Sequence, residues 1–103
     1  MDIHATDQEN VTIVFINGEV DASTSEALQD AFTALLVQGK NRLVADLTKL
    51  AYMSSAGFRV ILATMKEARA QGGDLRLSAV QGNVERMLNL SGFTKFITAV
   101  QNT

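Results

Sequence analysis

Three short runs of strand-forming residues, separated by two longer stretches whose apolar residues recur every three or four positions, limit the folds open to this chain. Val11-Thr12-Ile13-Val14-Phe15-Ile16 is β-branched and aromatic and is ended by Asn17-Gly18, so it reads as a buried strand. An extended piece around Ile3 to Thr6, set off by the polar Asp7-Gln8-Glu9-Asn10, can form a hairpin with it. A helix then starts at Ser23-Thr24-Ser25-Glu26, with Ser23 and Glu26 spaced as in a capping box. Its apolar face is Leu28, Ala31, Phe32, Leu35 and Leu36, and Gly39 stops it. Arg42-Leu43-Val44-Ala45-Asp46-Leu47 reads as a second buried strand. Beyond Ser54-Ser55, the residues Phe58, Ile61, Leu62, Met65 and Ala68 follow the helical period as far as Gly72-Gly73, with Lys66, Glu67 and Arg69 turned outward. Leu75, Leu77 and Ala79 alternate with Arg76 and Ser78, which predicts a third strand covered better on one face and leaves its place in the sheet open. A short helix over Asn83 to Leu90, with Val84, Met87 and Leu88 on one side, closes at Gly92, and Phe96-Ile97 makes a brief last strand. Strands alternating with helices imply βαβ units and parallel neighbours: the class is α/β, with one sheet.

Composition bounds the function. A chain of 103 residues without repeat, linker or low-complexity tract is one domain, residues 1–103. It has no Cys, hence no disulfide or thiolate chemistry, and its single His4 leaves metal binding to carboxylates alone; no cofactor is expected. No apolar run exceeds four residues, whereas a membrane span needs about twenty. The first residues, Met1-Asp2-Ile3-His4-Ala5-Thr6-Asp7, lack the basic start and apolar stretch of a signal peptide, so the expectation is a soluble, cytoplasmic protein. Nine basic against eleven acidic residues, a formal charge of −2, argue against nucleic acid. The glycines match neither the phosphate loop nor the dinucleotide fingerprint.

The informative segment is Asp46 to Phe58, where a strand leads through a polar loop onto a helix and two adjacent serines stand at the opening. One of them is expected to cap the helix, its oxygen accepting from a free N–H of the first turn. Gly57 costs helix propensity there, which implies that something approaches the backbone closely. A hydroxyl at this position can also carry a phosphate, whose charge suits the helix dipole and the free N–H groups. A serine hydrolase would need a base, and His4 with no Gly-x-Ser-x-Gly elbow does not provide one, so no enzyme is expected.

These residues carry a resemblance to the bacterial anti-sigma factor antagonists, which have the STAS fold. Gly18-Glu19-Val20-Asp21 resembles the family's Gly-Glu-Leu-Asp, and Asp46-Leu47-Thr48 its Asp-Leu-Ser. Tyr52-Met53-Ser54-Ser55-Ala56-Gly57-Phe58 resembles the phosphorylation loop, and Asn89-Leu90-Ser91-Gly92-Phe93 the Ser-Gly-Leu close of the late helix. The matches run in order from about Val11 to Phe96. They imply a single STAS-like domain with a mixed, mostly parallel sheet of four to five strands and helices packed on it.

By position, Ser55 corresponds to the serine that a partner kinase phosphorylates. Ser54 is the alternative, because it stands where the family often has Asp. Asp21 matches an acidic residue near that serine, with hydrogen bonding to its own turn as the rival role. Thr48 is a secondary candidate against an ordinary turn role. Arg59 is read as a phosphate or partner contact or as a solvated helix position, and Met53 and Phe58 as an apolar docking rim or as core. With Ala56 and Gly57 these residues make up the expected partner-binding segment. The resemblance implies partner switching. The unmodified protein, monomeric when free, binds an anti-sigma factor that is a serine/threonine kinase and releases the sigma factor; phosphorylation ends the binding and a PP2C-like serine phosphatase restores it. A STAS scaffold or transporter-accessory module without phosphorylation is the other reading.

Overall fold

The computed structural model describes residues 1–78 and 99–100. The first two strands, β1 (Asp2–Gln8) and β2 (Val11–Val20), form an antiparallel hairpin in register from Asp2↔Asn17 to Gln8↔Val11. Only Glu9 and Asn10 make the turn, with Glu9 in the left-handed region at φ 58°. Asn17-Gly18 does not end β2, as the sequence reading had it. Gly18, at φ 86°, marks a register irregularity, a bend that glycine tolerates, and the strand continues to Val20 beside a new partner.

The helix α1 (Ser25–Val37) begins later than expected, and the Ser23–Glu26 capping box is not the device that starts it. Thr24 is the N-cap without a side-chain cap bond, because its Oγ1 turns back to accept the Asp21 N–H at 2.9 Å, while Ser23 and Thr24 donate their own N–H groups to the Asp21 carboxylate. At the other end Gly39, at φ 82°, lets its own N–H reach Leu36 O at 2.9 Å and that of Lys40 reach Leu35 O at 3.0 Å, the paired bonds of a Schellman close.

The next strands are β3 (Arg42–Asp46) and β4 (Leu50–Met53). Both run parallel to β2, β3 along residues 12–15 and β4 along residues 18–20, so the segment read as a polar loop contains a strand. Four residues are too few to show a period in sequence. The helix α2 (Ser55–Ala70) follows, then β5 (Asp74–Ser78) and β6 (Ala99–Val100). The sheet order is β1-β2-β3-β5-β6, with β4 joined to β2 off this path; β1 alone is antiparallel. The expected mixed, mostly parallel sheet is present, its main path has five strands, and β5 lies inside it. The expected helix over 83–90 and strand at 96–97 lie outside the described residues.

One face of the sheet, with Val14, Ile16, Leu43, Ala45, Leu75 and Leu77, packs against Leu28, Phe32 and Leu35 of α1 and Phe58, Ile61 and Met65 of α2. Ser78 departs from the expected alternation: it is fully buried, although Arg76, two residues earlier, is exposed. At the entry edge of the parallel strands, Gly73 lets two turns meet. A Cβ there would lie 1.9 Å from Asn41 O, which accepts the Asp74 N–H at 2.9 Å.

Candidate functional site

The end of β2, the strand β4 and the first turn of α2 meet at one corner, because the β2–β4 pairing sets Val20 opposite Met53 and the Ser54 N–H on Val20 O at 2.7 Å. The two serines there have different surroundings. Ser54 is half-buried and extended (φ −77°, ψ 170°), and its Oγ accepts the Gly57 N–H at 3.4 Å, so Ser54 is the cap. Ser55 is the first helical residue and is exposed. Ser54→Ala is expected to cost about 0.5–1 kcal/mol in urea unfolding, the low end for caps because the bond is long.

Gly57 answers the close-approach expectation: a Cβ would lie 2.6 Å from Met53 Cγ and 2.9 Å from Val20 Cγ1. Met53 and Phe58 are 0% and 1% exposed, so they are core and not a docking rim. The reason is geometric. Met53 points inward from β4 under Gly57, and Phe58 lies on the face of α2 that covers the sheet. Ala56 is half-buried and Arg59 is exposed one turn beyond Ser55. Tyr52, 41% exposed, is the surface aromatic that sequence reasoning missed; it faces outward because Met53 faces inward, an alternation legible only once β4 is recognised as a strand.

Asp21 does hydrogen-bond its own turn. Its Oδ1 accepts from Ser23 Oγ at 2.6 Å, Ser23 N at 2.9 Å, Thr24 N at 3.0 Å and Thr24 Oγ1 at 3.2 Å. The Ser23 hydroxyl above all, helped by the N–H groups of both residues and opposed by partial desolvation, holds the carboxyl below the usual carboxylate range. A folded value below the unfolded one means that this contribution to stability is complete above the unfolded value, about 3.9, and is lost as pH falls through the folded one. An acid titration followed by NMR should therefore move the Ser23 and Thr24 amides together with Asp21, below the ordinary range; movement at the ordinary Asp midpoint would contradict the bonding.

Thr48 has the turn role: Asp46 Oδ1 accepts its N–H at 2.9 Å and its hydroxyl at 2.6 Å. His4 stacks on Phe15, with ring centroids 4.8 Å apart. Among the described residues no three His, Cys, Asp or Glu side chains gather to hold a metal ion, and no helix is long and apolar enough to cross a membrane. The corner thus offers an exposed hydroxyl at a helix start, with Glu19, Asp21, Tyr52 and Arg59 exposed on the segments around it.

A STAS domain family model matches residues 2–103. BtrV of Bordetella bronchiseptica, which carries the provisional name anti-sigma factor antagonist, is 34% identical over 85 residues, covering 82% of this chain and 73% of BtrV. The anti-sigma factor antagonist SpoIIAA in its unphosphorylated form has a TM-score of 0.85 at 18% identity, covering 99% of this chain and 89% of that one. The Bacillus cell fate determinant SpoIIAA in the phosphorylated form has a TM-score of 0.77, also at 18% identity, covering 99% and 92%.

Proposed function

The chain belongs to the STAS domain family, and from that premise we propose that it is a cytoplasmic anti-sigma factor antagonist that works by binding, not by catalysis. Unmodified, it engages an anti-sigma factor that is also a serine/threonine kinase, and the sigma factor is released. The kinase then moves the γ-phosphoryl group of ATP to Ser55 Oγ; the hydroxyl proton leaves, ADP is the other product, and Mg²⁺ belongs to the kinase. A PP2C-like phosphatase hydrolyses the ester and resets the switch.

The observation that carries this reading is the difference between the two serines. Ser54 caps α2 through its Oγ, whereas Ser55 presents its hydroxyl at the exposed first position of the helix. An unmodified Ser55 can be covered by a partner with one hydrogen bond. A phosphate of charge about −1.5 to −2 would have to be desolvated in the same contact, next to the segment that carries Glu19 and Asp21. SpoIIAA, alike in fold, is known in both unphosphorylated and phosphorylated forms, which supports the reading.

The test is incubation with the kinase-type anti-sigma factor of the same organism and ATP, followed by phosphopeptide mapping. One phosphate on Ser55 is expected, removable by a PP2C-type phosphatase. Phosphate on Ser54, or none with stable co-purification in a large assembly, would overturn the reading, the latter in favour of a scaffold module.

A further inference from the structure

We infer that Arg59 is the internal counter-ion of a phosphate on Ser55, drawn to the modified side chain and thereby withdrawn from the partner-facing surface. The inference rests on the proposed phosphorylation of Ser55 and concerns what the modification does within the chain.

Ser55 and Arg59 are four residues apart on α2 and both are exposed, so their side chains are neighbours on one stripe of the helix. The order, anion nearer the N-terminus and cation one turn later, is the favourable one for such a pair. The planar guanidinium of Arg59 suits two phosphate oxygens at once. Arg59 is also uncommitted: among the described residues it makes no ion pair, whereas Arg69, further along the same helix, is held by Asp74 at 2.8 Å. The first turn of α2 contains no acidic residue, so the phosphate would be the first anion at this helix start.

Among the described residues, the other charges around α2 do not do this work. Glu19 and Asp21, on β2 and its turn, are anionic, and so are Glu26 and Asp30 on α1; β4 carries no charged residue, and Lys49 precedes its far end. Asp74 and Arg76 of β5 and Lys66, Glu67 and Arg69 of α2 belong to the opposite end of the helix. Among the described residues, Arg59 is therefore the cation placed to favour the dianion, and the neighbouring carboxylates oppose it. Phosphorylation would change the exposed Ser55–Arg59 stripe from a free cation to a net anion, altering two features of the docking surface with one group.

Phosphoserine installed at position 55 during synthesis allows the test without a kinase. The second ionisation of the phosphate is followed by ³¹P NMR in the otherwise unchanged chain and with Arg59→Gln, Arg59→Lys or Arg69→Gln. The midpoint is expected to rise by about 0.3 pH units with Arg59→Gln, less with Arg59→Lys, and to stay unchanged with Arg69→Gln; added salt should shrink the difference. An unchanged midpoint with Arg59→Gln, or an equal shift with Arg69→Gln, would overturn the assignment and leave kinase-dependent phosphorylation standing. A failed kinase reaction would overturn the latter without altering the titration.

Discussion

Ser55→Asp is expected to weaken binding to the proposed anti-sigma kinase by at least about tenfold, while Ser55→Ala binds without being switched off by ATP. Ser55 is exposed at the first position of α2, and a carboxylate there interacts favourably with the helix N-terminus, by about 0.3–1 kcal/mol. The variant should therefore melt at or slightly above the parent temperature while losing affinity, a combination that separates an interface effect from misfolding. The loss has its source in the complex, where a charge must be stripped of water beside the segment bearing Glu19 and Asp21. Asp carries one charge and lacks the phosphate's third oxygen, so the phosphorylated chain should bind more weakly still. Calorimetric titration of the kinase with each variant, with melting curves alongside, makes the measurement. Equal affinity of Ser55→Asp and the parent would remove Ser55 from the interface.

Gly73→Ala is expected to have the largest effect on stability, about 3 kcal/mol in urea unfolding. The added Cβ would lie 1.9 Å from Asn41 O and 2.8 Å from Asn41 Oδ1. The first of these is backbone and cannot swing aside, so the turn after α2 must separate from the turn before β3. That separation strains the Asp74 N–H bond to Asn41 O and the Asn41 Nδ2 bond to Gln71 O, both 2.9 Å, which fix the entry of β5 beside β3. Gly39→Ala and Gly72→Ala are the comparison. Both sites have positive φ, 82° and 89°, with open space where the Cβ would go, so only the backbone preference is lost, about 1–2 kcal/mol. Should Gly73→Ala prove no more costly than these two, the steric account would be wrong.

Much of this was legible in the residues. The periods of Leu28 to Leu36 and of Phe58 to Ala68 depend on which side chains avoid water, a local property of each helix, and the same faces are buried in the fold. Glycine ends of helices are legible for a similar reason, since a backbone at positive φ excludes most residue types. The start of α1 was not, because Ser23 could serve either a capping box with Glu26 or the carboxylate of Asp21. Sequence spacing gave both options, and the geometry of the turn selected the second.

The sequence by itself determined the α/β class, the register of apolar faces and the segment holding the candidate site, because these follow from residue type and spacing along the chain. It also required a close approach at Gly57, without saying by what. Only the tertiary structure decided that β2 changes partner at Gly18, from β3 to β4, and so brings Val20 over Gly57 and the Asp21 turn beside Ser54. The same pairing turned Met53 into the core and Tyr52 out to the surface. It left Ser54 to cap and Ser55 free, a distinction that two identical adjacent residues cannot express in sequence, since it depends on which hydroxyl the folded backbone turns toward the Gly57 N–H.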